Sequence, residues 1–533
     1  MKSLRALYTL LFGVAVLLFF GLAYPHHLHY QEQYQLFLFD CSYVWDIVKL
    51  PGGLADLLGR FCTQFFLYAW VGALLIGILL SAVQLLTLRL TSPSQRPTPQ
   101  NRVGEGGTFY GLSFVPSFLL WLFLLDENAL LGGVWAVLLT LLAAWGFDKM
   151  NNRWARRILL IVAVPVLYWM VGPVCVVFFL LMAGTNEANE ANETKGTQKA
   201  HKANWPNLAW CCGALVLLLA MPIILASSIP VPPEKLWYGI HYHRYPTEIP
   251  VLLWAAALSV FALTIIVCAS HRWGRRKVST SHSSFLIPLS SFILVSVVMG
   301  FLVWKNSNFR AEKVMQYDFM ARYQQWNRIL ETVNAEKPNN QIGVTVQNLA
   351  LAMHGMLADH LFEYNQNGIA GLLPDVQRDA TSPLPTAEAF YQLGMIYVAQ
   401  RTVFEAQEAI LDFQKSARCY KRLAETNLIL GNYEVARKYL KALQKTLFYS
   451  GWADETLQLL GNEEAIARHP EYGRLRQLAY NEDFYFGDQV TAEMLERLFI
   501  SNTENRLAFE YLKAYYILTG DQESYTQLLR HFQ

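Results

Sequence analysis

Long stretches of this sequence carry almost no charge. Charged residues make up 16% of the 533 residues, compared with about 25% in typical soluble domains. The shortage lies in residues 1–304, which contain 20 Lys and Arg and 13 Asp and Glu, a net charge of +7. Residues 305–533 contain 23 and 28, a net charge of −5. Because the highly charged part is acidic and has no large basic field, nucleic acid is excluded as its partner.

The sequence also lacks the local signatures of the common enzyme classes. It has no glycine-rich phosphate loop, no metal-binding histidine pair on a helix, no nucleophile elbow and no set of kinase motifs. Its seven cysteines show no metal-binding spacing, so we predict no metal site and no cofactor. Cys41 and Cys62 share one predicted loop, and the sequence leaves open whether they form a disulfide or remain free thiols.

Apolar runs, absent from the second part of the chain, fill the first part. A bilayer-spanning helix needs about 20 predominantly apolar residues. The candidate segments are 6–24, 64–88, 109–125, 129–147, 158–183, 207–229, 249–270 and 285–304. The sequence therefore predicts an all-α protein, with a polytopic transmembrane domain over residues 1–304 and a soluble domain over 305–533. The first segment is interpreted as a retained span, because the dipeptide Tyr24-Pro25 is a poor signal-peptide cleavage site.

The fifth segment, 158–183, decides the topology. Pro165 and Gly172-Pro173 interrupt it, which is typical either of a re-entrant hairpin or of a kinked single span. Loops rich in Lys and Arg stay cytoplasmic. A hairpin places 16 basic residues on the inner side and 7 on the outer side, whereas a single crossing gives 14 and 9. We therefore predict the hairpin, with the N-terminus in the cytoplasm and the C-terminal domain outside.

Residues 313–533 show a recurring pattern of small and large residues. The pattern is typical of tetratricopeptide helix pairs, in which glycine lies at the turn and small residues let the two helices pack closely. Five copies are found, at 317–330, 349–358, 389–406, 423–439 and 512–525. Such pairs stack and leave a concave face that binds peptides or proteins. We therefore predict a protein or peptide partner at that face, with an irregular helical bundle without a groove as the alternative.

Candidate catalytic residues follow the first apolar segment. In residues 24–63, Glu32 and Asp40 are surrounded by aromatic residues. A carboxylate held beside apolar rings has a raised pKa and can serve as a general base. The alternative is that both are ordinary solvated acids on a segment that lies along the membrane surface.

Candidate anion-binding residues lie in two places. Arg60 lies one helical turn after Asp56, behind a Pro-Gly-Gly turn, and can pair with that carboxylate or bind a phosphate. His241, His243 and Arg244 lie among aromatic residues between the sixth and seventh apolar segments. Two histidines and an arginine can bind the phosphate of a lipid there, and an ordinary interfacial aromatic belt is the alternative.

Two stretches carry a resemblance to a family of proteins. They are Pro51-Gly-Gly-Leu-Ala-Asp56 with Gly59-Arg60, and residues 416–440. In these stretches and over nearly its full length, the chain resembles an uncharacterised family of bacterial inner-membrane proteins of the Gram-negative type. The resemblance implies an inner-membrane location, with the outer side facing a periplasm. Because that family carries no established activity, the resemblance implies no function.

A looser resemblance is to multi-spanning glycosyltransferases that use lipid-phosphate sugars. Those enzymes place a catalytic Asp or Glu in the first outside loop, where Glu32 and Asp40 lie here, and some carry a helical-repeat domain. The Asp-Glu pair of many members is missing from this loop, and such a pair, Asp126-Glu127, lies in the next outside loop. The resemblance implies a glycosyltransferase or glycan polymerase that uses a lipid-linked sugar at the periplasmic face, with the four cations named above on its phosphate.

The alternative hypothesis is a non-enzymatic membrane scaffold, whose repeat domain recruits partners in cell-envelope assembly. Under both hypotheses the chain contacts the lipid bilayer and a protein or peptide, and under the first it also binds a lipid-linked glycan. A transporter is less consistent with the sequence, because the predicted spans contain almost no interior charge and ion pathways usually need some.

Overall fold

The computed structural model divides the chain into two units that are not consecutive in sequence. It describes residues 2–91, 110–150, 152–183, 205–245, 247–274, 286–374, 381–411, 414–480 and 490–532. Unit 1 comprises Met1–Gln31 and Asp40–Asn308, and unit 2 comprises Glu32–Phe39 and Phe309–Gln533. The sequence predicts a single boundary, at residue 304, and no local pattern indicates that residues 32–39 belong with the second half.

Unit 1 is built from helices joined by turns and loops. Its helices are α1 (Lys2–Leu18, continued by a π-helical turn at Phe19–Ala23), α2 (Pro25–Glu32, whose last residue belongs to unit 2), α3 (Cys41–Val48), α4 (Gly53–Thr63), α5 (Ala69–Thr91), α6 (Val115–Phe123), α7 (Leu131–Asp148), α8 (Arg153–Val171), α9 (175–183), α10 (Trp205–Ala226), α11 (Pro233–Tyr238), α12 (Val251–Gly274) and α13 (Leu286–Asn306).

Seven of these helices are long and apolar enough to cross a membrane. They are Leu4–Ala23, Ala69–Thr91, Leu131–Asp148, Trp154–Val171, Ala209–Ala226, Val251–Ser270 and Leu289–Asn306. The chain therefore fits a multi-pass membrane protein, as the sequence predicts. The predicted count of eight differs from this, because the segment 109–125 forms only the shorter apolar helix Gly111–Phe123.

The fifth predicted segment is broken where its glycine and proline lie. α8 ends at Val171, and Gly172 has a φ of +79°, a backbone conformation that favours glycine because it has no Cβ. Pro173 follows in a turn, and the chain becomes helical again as α9. The break is therefore a change of chain direction rather than a kink within one helix.

Aromatic contacts show where the chain goes after this break. The ring of Phe178, in α9, lies 5.5 Å from the ring of Phe147, at the end of α7. The guanidinium of Arg156, at the start of α8, lies 5.2 Å from the centroid of the same Phe147 ring. α9 therefore returns towards the level at which α8 begins, and the two helices form a hairpin within unit 1.

Side-chain contacts gather a set of helix termini at one end of unit 1. They join the starts of α1 and α13 to the ends of α5 and α7 through the Thr9–Gln84 hydrogen bond (2.9 Å), the Tyr8–Phe292 ring stack (4.6 Å) and the Arg89–Trp145 cation–π contact (5.1 Å). The opposite end carries the turn before α4, where the Gly52 N–H donates to the Trp169 carbonyl (2.8 Å). The loops with the candidate site residues of unit 1 lie at that opposite end.

Unit 2 is built from shorter helices. They are α14 (Phe309–Arg322), α15 (Trp326–Glu336), α16 (Gln341–Met353), α17 (Pro383–Leu393), α18 (Ile396–Glu408), α19 (Ala417–Ile429), α20 (Tyr433–Leu443), α21 (Ser450–Leu459), α22 (Glu463–Arg468), α23 (Tyr472–Leu478), α24 (Thr491–Ser501), α25 (Arg506–Thr519) and α26 (Gln522–Phe532).

Three predicted repeat copies place a glycine between two consecutive helices. Gly394, Gly431 and Gly520 have φ values of +91°, +80° and +73° at the turns α17–α18, α19–α20 and α25–α26. The copy at 349–358 departs from this pattern, because α16 is followed only by a single 3₁₀ turn at Leu361–Glu363. Unit 2 therefore contains helix pairs, and their assignment as tetratricopeptide-like repeats stays a prediction.

We expect the α8–α9 hairpin to place residue 188 on the same side of the membrane as the N-terminus. A reporter of compartment inserted after Ala188 should therefore give the cytoplasmic signal, and one fused after Gln533 the outer signal, because the helix directions and the basic loops favour this orientation. A reporter after Ser94 is the control, since it is cytoplasmic with or without the hairpin. An outer signal at Ala188 would show that the segment 158–183 crosses only once.

Candidate functional site

Residues 32–39 of unit 2 form a segment that leaves the end of α2, turns at residues 33–34 and then lies against the loops flanking α19 and α20. The N–H of Leu36 donates to the carbonyl of Lys415 (2.9 Å), just before α19, and the N–H of Phe39 donates to the carbonyl of Lys445 (2.7 Å), just after α20. Leu36 is buried in an apolar cluster; its other fully buried members are Ala417, Ala424, Leu440, Leu443 and Ala453. The segment is therefore held by its backbone and by a leucine pocket.

The first residue of this segment, Glu32, is enclosed by groups that bind its carboxylate. The Tyr449 hydroxyl donates to its Oε1 (2.8 Å), and Arg322 Nη1 lies 3.7 Å from its Oε2. Glu32 is only 4% exposed. Burial raises the pKa of Glu32 above its ordinary value, although the Arg322 charge and the Tyr449 hydrogen bond act against this rise. The residue is therefore placed as an anchor of the segment within unit 2.

A network of buried charges continues from this anchor. Arg418 makes a bidentate pair with Asp318, at 2.6 and 2.8 Å, and also donates to the Gln33 side chain at 3.2 Å. Arg422, one turn further along α19, donates to Glu388 (2.6 Å) and Glu425 (2.9 Å). α14, α17 and α19 thus present one connected set of charges, and the segment takes part in it through Gln33.

Asp40, the other predicted catalytic residue, lies at the start of α3 in unit 1. Its Oδ1 accepts hydrogen bonds from the Ser42 N–H (2.9 Å) and from the Ser42 hydroxyl (2.6 Å). This is the arrangement of a helix N-cap, which satisfies a backbone N–H that would otherwise lack a partner. Asp40 therefore belongs to unit 1, whereas Glu32 belongs to unit 2.

In unit 1 the structure brings Asp56, Arg60 and His241 together. Arg60 contacts the Asp56 Oδ2 through Nε (2.9 Å) and Nη2 (2.8 Å), the ion pair that their spacing on α4 allows. His241 Nδ1 lies 3.4 Å from the same oxygen, and Arg60 also hydrogen-bonds Tyr43 of α3. Asp56 is 1% exposed, and its Oδ1 has no hydrogen-bond partner among the described residues.

Two glycines make this close arrangement possible. A Cβ on Gly59 would lie 2.4 Å from the Gly132 backbone nitrogen, and a Cβ on Gly132 would lie 3.0 Å from the His241 carbonyl oxygen. α4, α7 and the loop that precedes α12 therefore meet at backbone contact distance. This explains why Gly59 occurs beside Arg60, a feature that the sequence alone does not interpret.

The remaining predicted cations of unit 1 have separate partners. His243 Nε2 lies 3.0 Å from the Asp126 Oδ2, and Arg244 Nη1 donates to the Tyr30 hydroxyl (3.4 Å). Backbone hydrogen bonds align the two loops, since the Arg244 N–H donates to the Asn128 carbonyl (2.9 Å). Four predicted phosphate-binding residues thus lie on contacting elements of unit 1, with acidic or phenolic partners.

Several residues that contact the candidate site residues were not predicted, because they lie far from them in the sequence or belong to no motif. Tyr43, Arg322 and Tyr449 carry no local motif, and only the fold brings them to Arg60 and Glu32. Arg418, Arg422 and Glu425 offered a signal, since they lie at helical spacing on one face of α19. Cys41 is exposed and Cys62 is buried, and both are free thiols. Among the described residues, no three His, Cys, Asp or Glu side chains lie where they can hold a metal ion.

The apolar helices, the buried ion pairs at one end of unit 1 and the helix pairs of unit 2 define a multi-pass helical membrane protein with a second, more polar helical unit. The chain belongs to a family of unknown function, DUF6057, whose model matches residues 1–533. No curated protein and no solved structure matches the chain. These comparisons establish family membership but assign no activity to the protein.

The His243–Asp126 pair predicts a pH dependence of stability. Burial alone would lower the pKa of His243, but the hydrogen bond and charge of Asp126 raise it above its ordinary value. Burial alone would raise the pKa of Asp126, but His243 and the Asn128 N–H lower it. The histidine contribution is lost as pH rises through its raised pKa, and the aspartate contribution is lost as pH falls through its lowered pKa. The pair therefore stabilises the fold chiefly between about pH 4 and 7, bounded by the ordinary pKa values.

We expect His243→Gln to lower the melting temperature most near pH 5.5 and to have no effect by about pH 9. The loss should stay below about 1 kcal/mol, because Asp126 is 48% exposed. Asp126→Asn should show the same window, and the double variant should lose no more than either single variant. Melting curves of the full chain in detergent at several pH values measure this. A loss that does not vary with pH would contradict an ionic contribution.

Proposed function

We propose that the protein is a membrane-anchored polypeptide-binding protein, in which the tetratricopeptide-like unit 2 recruits a partner protein at the outer face of the bacterial inner membrane. The observation that supports this most directly is the segment 32–39, which unit 2 holds through two backbone hydrogen bonds, a leucine pocket and a carboxylate anchor. Helical-repeat domains bind their partners along extended concave surfaces.

The chemistry of unit 2 suits a peptide better than a small molecule. The contacts to the segment are spread over its length, with Glu32 at one end, Leu36 in the middle and Phe39 at the other. Backbone donors bind any extended sequence, whereas the side-chain contacts select among sequences. The apolar helices of unit 1 supply the anchor, since they keep unit 2 close to the bilayer without any lipid modification.

A photo-crosslinking residue on unit 2 tests this proposal in cells. We expect the probe at Leu447 to give discrete adducts with another protein, because this side chain is 45% exposed and lies just after Lys445, which binds the segment. The control is the same probe at Ile293 of α13, which is 50% exposed on an apolar membrane-length helix and should give no discrete protein adduct. Absence of protein adducts at Leu447 and also at Val435 and Phe404, which are exposed on α20 and α18, would contradict the proposal.

A second candidate function is transfer of a sugar from a lipid-linked phosphate donor. The observation that favours it is the Asp56 carboxylate, which has one buried oxygen without a partner among the described residues, while Arg60 and His241 hold the other. Such an oxygen can take the proton of an acceptor hydroxyl as that hydroxyl attacks the sugar carbon and the bond to the lipid phosphate breaks. The neighbouring cations stabilise the departing phosphate.

Under this second function, Asp56 is favoured over Glu32 because the predicted phosphate-binding residues Arg60 and His241 lie beside it; both acids have one buried oxygen without a hydrogen-bond partner among the described residues. Glu32 accepts from Tyr449 and faces Arg322, and the Asp40 Oδ1 caps α3. Both were predicted from their place after the first span, and Asp56 lies further along the same stretch of sequence. Their roles are separable by substitution.

If the protein is a transferase, Asp56→Asn removes its general base. The rate of sugar transfer should then fall by at least about 100-fold, and the surface glycans that depend on it should be lost. Asp40→Asn is the control and should retain activity, because asparagine is also a good helix N-cap. Surface glycans of cells that carry each variant as the sole copy are compared, with membrane levels and melting temperatures of the variants measured in parallel. Unchanged glycans in folded Asp56→Asn, Glu32→Gln and Asp40→Asn variants would exclude the transferase and leave the binding function.

A further inference from the structure

The segment 32–39 has an unusual position in the chain. It is preceded by residues of unit 1, in α2, and followed by residues of unit 1, in α3, yet its own contacts assign it to unit 2. Unit 2 therefore binds it as a separate piece of polypeptide, since 269 residues of chain, from Asp40 to Asn308, separate it from Phe309, where unit 2 resumes.

The anchoring groups of unit 2 are arranged like a peptide-binding site with a defined register. Arg322 and Tyr449 hold the carboxylate of Glu32 at the first position. Four residues later, Leu36 enters the apolar cluster and is 5% exposed. Arg418 binds the side chain of Gln33 between these two positions. The site therefore has contacts for an acidic residue at the first position, a polar residue at the second and a leucine at the fifth.

We propose that the segment 32–39 is an internal occupant of a peptide-binding site on unit 2, and that a partner protein occupies the same site with a peptide that carries an acidic residue four positions before a leucine and makes a turn between the two. This inference rests on the proposed binding function and specifies its partner. The partner's carboxylate replaces that of Glu32 between Arg322 and Tyr449, and its leucine replaces Leu36.

Charge favours such an exchange between matched peptides over simple loss of the segment. Removal of Glu32 without a replacement leaves Arg322 buried without the carboxylate that faces it, and a buried charge without its partner is strongly destabilising. A peptide with an acid at the same position restores the pair. The site therefore distinguishes an acidic peptide from a neutral one when the segment leaves.

The covalent attachment of the segment sets how strongly it competes. A tethered ligand acts at an effective concentration in the millimolar range, and the apparent affinity for a free peptide falls with the fraction of chains in which the site is open. Wild-type protein should therefore bind a free copy of the segment weakly. Weakening the internal segment should increase the affinity for that peptide by at least ten-fold.

The test uses full-length protein in lipid nanodiscs and a fluorescent peptide with the sequence of residues 30–40. Leu36→Ala in the protein empties the leucine pocket without adding a charge, and we expect it to bind the peptide at least ten-fold more tightly than wild type. Leu36→Asp, which introduces a charge into the same pocket, is a second way to release the segment. Ile500→Ala is the control and should bind like wild type, because the Ile500 side chain is 75% exposed on α24, which is not among the described elements that contact the segment.

Changes in the peptide and in the site test the register. Peptides with Glu32→Gln or Leu36→Ala should bind at least ten-fold more weakly to the Leu36→Ala protein, and a peptide with Asp40→Asn should bind normally, because residue 40 lies outside the segment. Adding Arg322→Gln to that protein should remove binding, whereas Arg468→Gln should not, because Arg468 belongs to an exposed pair with Glu464.

The outcomes separate this inference from the proposed function. If released proteins that melt as cooperatively as wild type do not bind the peptide at millimolar concentration, the inference is overturned, even where crosslinking at Leu447 still captures a partner. Equal binding of the Glu32→Gln peptide would also overturn it, since the carboxylate would then play no part. Dimers of the wild-type chain that dissociate when the peptide is added would show instead that a second copy supplies the segment.

Discussion

Chain connectivity constrains this protein more than any single contact does. The chain passes from unit 1 into unit 2 at Glu32, returns at Asp40, and passes into unit 2 again at Phe309. Where the chain passes from one unit to the other, its backbone N–H groups are outside regular helices and need hydrogen-bond acceptors. The carbonyls of Lys415 and Lys445 provide two of them.

The second constraint is the balance of buried charge. In unit 2, Arg418 and Arg422 are each paired with carboxylates from other helices, and all of these groups lie in low-dielectric surroundings. Removing one partner from a buried pair costs about 3–5 kcal/mol, whereas an intact pair adds little net stability. The network therefore specifies how α14, α17 and α19 pack rather than how stable they are. Glu32 adds one more carboxylate, beside Arg322. The same kind of charge pairing therefore also specifies where the segment packs.

The features that were predictable from the sequence are those with a local physical cause. Long apolar runs predicted membrane helices, and the dipeptide Gly172-Pro173 predicted the break after α8, because glycine supplies the positive φ and proline cannot continue the helix. Glycines predicted the turns at Gly394, Gly431 and Gly520. The segment 109–125 forms a shorter apolar helix, Gly111–Phe123, so that its prediction as a full span stays a prediction.

The features that were not predictable depend on tertiary contacts. The aromatic surroundings of Glu32 in sequence suggested a membrane-surface acid, but the residue packs in unit 2 against Arg322 and Tyr449, which lie about 290 and 417 positions further along the chain. Nothing local distinguishes an acid that binds substrate from one that anchors a segment, because both are carboxylates among apolar residues. Asp40 illustrates the same limit, since its capping bond to Ser42 has the sequence pattern of many surface acids.

The segment also connects the two groups of candidate residues through covalent structure. α3 begins at Cys41, directly after the segment, and carries Tyr43, which hydrogen-bonds Arg60 beside Asp56. Asp40 fixes the start of this helix. A change in the position of the segment therefore acts on α3 within a few residues, a distance over which the backbone transmits displacement without any further contact. This short stretch of backbone is the covalent connection between the segment of unit 2 and the helix of unit 1 that contacts the Asp56–Arg60 ion pair.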